Sequence, residues 1–176
     1  MKELKDFEIS FIGLKEGMHH FDYEVGNEFF DFFDYDEFDR SAVKVALSFL
    51  KKATMFELVF DFSGWVELAC DLTNELYEHP VTGSLELLVK FGQEFNDEHE
   101  EILIIPHAEH RLNVAQYIYE GIVLALPHKR VHPGVSDGTL QSDVLSKLKD
   151  FEIENKHKEA PKGTDPRWDK LKDINR

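Results

Sequence analysis

The sequence predicts an α+β fold: an antiparallel sheet that could close toward a barrel, one main covering helix, and a flexible C-terminal tail. Three observations predict it. Between Phe7 and Ile105, apolar residues recur in run after run with the two-residue period of strands. Between Leu112 and Leu126 the period changes to three and four, the mark of one helix face. Beyond His128, Pro133, Gly134, Gly138, Pro161, Gly163 and Pro166 punctuate a more polar chain. Strands first and a helix later fit α+β better than a βαβ succession. The expected division is a domain over 1–127 and a tail over 128–176 that ends in a short helix.

Phe7, Ile9 and Phe11 predict the first strand, and His20–Val25 the second. The link from Gly13 to His19 suggests that they form a hairpin. Asn27 is placed to cap a short helix ending at Phe33. Of Phe29, Phe30, Phe32 and Phe33, at least two should enter the core. The acidic run Asp31–Asp39 carries Phe32, Phe33, Tyr35 and Phe38, and is expected as a solvated loop pinned by its aromatic rings. Val43, Val45, Leu47 and Phe49 predict a third strand; their alternation and β-branched content outweigh a helical reading of Ser41–Leu50.

The central stretch is Met55–Phe91. Phe56, Leu58, Phe60 and Phe62 alternate with polar neighbours, and Val66, Leu68 and Cys70 continue beyond Ser63-Gly64, where a bend or bulge is expected. After a polar link, Leu85, Leu87, Val89 and Phe91 alternate again. Gly92–Glu101 is expected as a charged loop, and Ile102–Ile105 as the last strand. The helix face comprises Leu112, Ala115, Ile118, Tyr119, Ile122, Val123 and Leu126, with Asn113 as cap and Pro127 as stop. In the tail, Gln141–Lys149 reads as a weak helix and Glu152–Lys162 as flexible. Trp168, Leu171 and Ile174 share the face of a terminal helix, and Trp168 should bury against something.

Charge is unevenly spread. The chain carries 20 basic and 35 acidic residues, a net of −15. Residues 127–176 hold 11 basic and 9 acidic groups, so residues 1–126 carry −17. Such a body repels nucleic-acid phosphate and attracts basic proteins. One Cys excludes an intramolecular disulfide, and no apolar run approaches the roughly 20 residues of a membrane span. With no signal-peptide core after Met1, the protein is expected to be cytoplasmic, without membrane contact.

Candidate chemistry is sparse. No phosphate loop, dinucleotide fingerprint or His-Glu-x-x-His occurs. The close histidine pairs are His19-His20, His107 with His110, and His128 with His132; a zinc site would need further ligands, and no metal or cofactor is expected. Cys70-Asp71 lacks a local base, so an inert buried Cys is expected. Lys129, Arg130, Arg167 and Trp168 are the candidate contacts to a protein partner or RNA, Arg reaching phosphate and Trp stacking on an unpaired base.

Several pieces, in order, resemble one family. They are Phe11-Ile12-Gly13-Leu14-Lys15-Glu16-Gly17, Gly64 before the strand into Cys70-Asp71-Leu72, Tyr117-Ile118-Tyr119-Glu120-Gly121-Ile122-Val123-Leu124-Ala125-Leu126-Pro127, and Asp165-Pro166-Arg167-Trp168-Asp169-Lys170-Leu171. Together they resemble the YceD family, associated with accumulation of the large-subunit (23S) ribosomal RNA. The resemblance implies a small, non-enzymatic ribosome-biogenesis factor that meets a ribosomal protein or pre-ribosomal particle, with rRNA within reach of the tail. Cys70, Asp71, Glu120, Pro127, Asp165, Pro166 and Arg167 match family positions whose roles the resemblance leaves open. Better-known members carry a second Cys shortly after Cys70 and a Cys-rich segment before the terminal motif. Here only His128 and His132 could replace them. The rival readings are a metal-dependent hydrolase or nuclease, and a general protein-interaction module.

Overall fold

The structure is a computed structural model that describes residues 4–99 and 101–158. The expected terminal helix with Asp165, Pro166, Arg167 and Trp168 lies outside the described residues. The chain divides into two compact units at the His132–Pro133 bond.

The first unit opens with a 3₁₀ turn, Leu4–Phe7, and a short strand β1, Glu8–Ser10. Then come β2 (Gly17–Gly26), a helical turn α1 (Asn27–Phe30) and a 3₁₀ turn (Asp31–Phe33). Long strands β3 (Ser41–Lys51), β4 (Met55–Ala69) and β5 (Leu76–Gly92) follow. The last elements are β6 (Asn96–His99), β7 (Ile102–Pro106), β8 (Arg111–Asn113) and helix α2 (Ala115–Leu124). The main sheet has the order β2-β3-β4-β5-β7-β6, while β1 and β8 pair separately. All pairings are antiparallel except β5 with β7.

The fold is thus α+β with a mostly antiparallel sheet, but the sheet is open, not barrel-like. The sheet stays open because its edge strands, β2 and β6, do not pair with each other. One face instead gathers Val43, Val45, Leu47 and Phe49 with Phe56, Leu58, Phe60 and Phe62, all buried. Phe7, Ile9, Phe29, Phe30, Leu112, Ile118 and Ile122 are buried with them. Helix α2 sits flush: a Cβ on Gly121 would come 2.4 Å from the Phe62 ring.

Several local expectations change. The first two strands form no hairpin, because β1 pairs with β8 through Ile9↔Leu112. Lys51 Nζ donates to the carbonyls of Phe11 and Leu14, at 2.8 and 2.9 Å, and so ties the link to the end of β3. Asn27 does not cap its helix; Gly26 stands at the N-cap. The Asn27 amide donates to the carbonyls of Phe38 and Asp39, at 3.2 and 2.8 Å, and its oxygen accepts from Ser41 Oγ. It fastens the acidic loop rather than the helix. The rings also pin that loop, with Phe30 and Phe38 at 4.8 Å and Phe33 stacked on Tyr119 at 4.4 Å. Of the four clustered Phe, Phe29 and Phe30 are buried.

No bulge interrupts β4 at Ser63-Gly64; Val43↔Gly64 and Gly64↔Val81 are regular pairs. From Leu76 onward the polar link before Leu85 is itself strand, paired with β4 through Pro80 and Gly83. Proline is admitted there because β7 flanks β5 only from Leu88 to Gly92, so Pro80 lies on an edge. The charged loop contains β6, and β8 rather than β7 is the last strand. Asn113 Oδ1 accepts the Ala115 N–H at 2.9 Å, one residue ahead of the Val114 N-cap.

The second unit holds α3 (Pro133–Asp137) and α4 (Asp143–Lys158). Helix α4 runs beyond the expected Gln141–Lys149 helix, as far as Lys158. No helix among the described residues is long and apolar enough to cross a membrane.

Burial leaves a titration signature. Tyr23, stacked on Phe7, and Tyr117 are both pushed up to about 12, chiefly by burial; Asp97 and Glu120 add to the shift of Tyr117. A raised folded-state value stabilises the fold below pH 10 and is lost as pH rises toward 12. Burial also raises Tyr35 and Tyr77. Phenolate absorbance should therefore show four of the five tyrosines titrating late, Tyr23 and Tyr117 with loss of the fold. Ionisation of all five near pH 10 in the folded protein would contradict this.

Candidate docking surface and the Cys70 junction

Alternation places half of each strand on the outer face of the sheet, opposite the core. Along β2–β5 that face carries Asp22, Glu24, Glu57, Asp61, Glu67, Glu78 and Glu86. Four cations answer them. Lys44 lies 3.8 Å from Glu24, Arg40 lies 2.6 Å from Glu67, Lys52 binds Glu57, and Lys90 stands across from Met55. Arg40 also lies over the Trp65 ring at 5.8 Å. Among the described residues, Asp22, Asp61, Glu78 and Glu86 make no ion pair with any of these cations. Glu78 stands directly across from Glu67. Like charges at that spacing cost stability, and Arg40, held by Glu67 and attracted by Glu78, offsets that cost.

The same face has an apolar cluster at one end. Met18↔Leu50 and Leu88↔Ile102 are adjacent pairs in one row, joined through Glu57. Met55, Val59 and Ile104 flank them, and all seven apolar residues keep some solvent exposure. An antiparallel sheet with one solvated face ordinarily shows polar residues outward. The cluster lies at the end of the sheet where Lys52 and Lys90 stand, with Glu57 inside it and the other carboxylates further along the strands. An apolar patch beside a charged surface has the anatomy of a protein interface.

A second constellation ties the end of β4 to the chain after α2. Cys70 follows β4 and is buried. A tight turn follows it: Asn74, with φ of 58°, donates its N–H to the Cys70 carbonyl at 2.8 Å. Asp71 and Arg130 then clamp each other through the backbone. The Asp71 N–H donates to the Arg130 carbonyl at 2.7 Å, and Asp71 Oδ2 accepts the Arg130 N–H at 2.8 Å. The Arg130 guanidinium reaches Glu37 in the acidic loop. His132 donates its N–H to Cys70 Sγ at 3.3 Å, and its ring meets Tyr77 at 5.5 Å. Burial raises the Cys70 thiol, but hydrogen bonds from His132, Thr73 and Leu72 together outweigh it and hold the thiol below its usual value.

Of the candidate residues, the structure brings Cys70, Asp71 and Arg130 together. Lys129 stands exposed beside them. Glu120 accepts from Gln116 Nε2 at 2.8 Å on α2, and Pro127 lies just beyond that helix. Glu37, Tyr77 and the outer-face carboxylates were not singled out by the sequence reading. Strand register reveals the carboxylates, and no spacing signal links Glu37 to Arg130. Among the described residues, no group of three or more His, Cys, Asp or Glu is placed to hold a metal ion.

Residues 58–175, two thirds of the chain, match the family model described as large ribosomal RNA subunit accumulation protein YceD. No curated protein and no solved structure matches the chain.

Proposed function

We propose, from the premise that the chain belongs to the YceD family, that it is a non-enzymatic ribosome-biogenesis factor whose acidic sheet unit engages a basic protein of the large subunit. The observation that carries this reading is the outer face of the sheet, where carboxylates outnumber cations and an apolar cluster lies at one end. Its charge repels RNA and attracts the cationic surfaces of proteins that bind RNA. Holding such a protein before it meets rRNA supports assembly of the large subunit and so the survival of its RNA. Lys129 and the tail residues Arg167 and Trp168 supply the contacts to rRNA or to the same partner. The Asp71–Arg130 clamp fixes where the chain leaves the sheet unit, and so where Lys129 is presented.

Depletion of the protein tests the reading. The ratio of large-subunit to small-subunit rRNA should fall, and restoring the protein should return it. An unchanged ratio would remove the assembly role and favour a general interaction module.

A further inference from the structure

Strand β2 forms one edge of the main sheet, and among the described residues its outer side is left without a strand partner. Natural sheets shield an exposed edge with charged side chains, Lys above all, with Pro, a bulge, a very short strand or a covering loop. The opposite edge follows this rule: β6 has four residues and an irregular register between Asn96 and His99. By contrast, β2 contains neither Pro nor Lys, and it pairs with β3 without a break from Gly17↔Lys51 to Gly26↔Ala42. The charges on β2 are the carboxylates Asp22 and Glu24, which repel an acidic strand but suit a basic one. At about 3.4 Å per residue, its ten residues present roughly 34 Å of edge.

A groove of about 490 Å³ lies between β2 and the segment around β1, a volume in the range of ligand clefts. Ile9, Phe21 and Tyr23 give it apolar walls, and Asp6, Glu8 and Asp22 give it carboxylates. Glu8 also holds Arg111 at 3.2 Å, but no Lys or Arg lines the groove itself.

We propose that the outer edge of β2 accepts an extended basic segment of a protein partner as an added strand. This rests on the basic-protein reading above and gives that protein a place to bind. Backbone hydrogen bonds to the free edge supply affinity, and alternate side chains of the guest supply specificity. Guest side chains on the outer face meet Asp22 and Glu24. Those on the groove side meet Phe21 and Tyr23, with Asp6 and Glu8 beyond. The guest is therefore rich in Lys or Arg alternating with apolar residues. A second copy of this chain fits poorly, because antiparallel pairing of two β2 strands sets Asp22 and Glu24 of each near those of the other, and like charges across strands destabilise.

The probe is a synthetic peptide of about ten residues alternating Lys and Val, titrated into the full-length protein. Two further peptides of the same sequence are N-methylated, one at the odd and one at the even positions. N-methylation keeps the charge but removes donors from one edge. One methylated peptide should bind at least tenfold more weakly than the parent, and parent binding should slow amide exchange in β2. The variant with Asp22→Lys and Glu24→Lys should lose a similar factor. If all three peptides bind the wild-type protein equally, strand addition is overturned, while the rRNA ratio still decides the functional reading on its own. A dimer of the free protein that protects the β2 amides from exchange and excludes the parent peptide would assign the edge to a second copy and overturn the proposal as well.

Discussion

Gly64→Ala should destabilise the protein by about 3 kcal/mol, near the upper end of what overpacking costs. Gly64 lies inside β4 with its backbone closed against β3. A Cβ built there stands 2.2 Å from the Ala42 carbonyl oxygen and 2.6 Å from the Val43 Cα. Both obstacles are backbone, so no rotamer change relieves them; β3 must move away from β4. That movement breaks a ladder running from Ser41↔Val66 to Lys51↔Phe56, behind which most of the Phe core lies. For a chain of this size the midpoint of thermal unfolding should fall by roughly 9 °C. Gly83→Ala on the neighbouring strand is the control. Its Cβ would meet the Ala125 Cβ at 3.4 Å and the Phe62 ring at 4.0 Å, which the structure can accommodate. Its effect should stay within about 1 kcal/mol. Equal midpoints for the two variants would contradict the close approach of β3 to β4.

This glycine also shows where reading the chain without coordinates stops. Gly64 marks a special position in a strand, and a bulge and a close backbone approach leave the same mark. Only the register of β3 decides for the second. The alternation of Val43–Phe49 and Phe56–Phe62 was legible because each strand buries one face, and it outweighed a helical reading of residues 41–50. The first half of β5 was not legible. Pro80, Thr82, Gly83 and Ser84 have the composition of a turn, and their strand state comes from pairing with the long, strongly patterned β4. The partner of β1 was equally hidden. Ile9 and Leu112 are about a hundred residues apart, and a nearer strand, β2, was the natural guess.

The site was legible in charge and hidden in geometry. A net of −17 over residues 1–126 pointed to a basic partner. It did not say that the carboxylates on the strands share a face with Leu50, Leu88 and Ile102, because that needs the register of four strands. Cys70, Asp71 and Arg130 were singled out separately, yet their meeting depends on where the chain emerges from α2.

Reversing charge on the outer face should have the larger functional effect. Asp61, Glu78 and Glu86 are exposed there and make no ion pair with the four cations of that face. Changing all three to Lys leaves the core and every identified ion pair intact, so the fold should survive. Each reversal turns an attraction for a cationic surface into a repulsion, and three together should weaken binding about a hundredfold. Glu16, Glu94 and Glu109 are exposed in loops, outside the strands that form this face. Changing those three to Lys alters the net charge by the same amount.

The decisive measurement is the affinity of the wild-type protein and these two triple variants for total protein of the large ribosomal subunit at one salt concentration. The outer-face variant should lose binding by about a hundredfold, and the loop variant should keep most of it. Equal losses would mean that net charge alone attracts the partner, and full binding by the outer-face variant would show that the partner sits elsewhere.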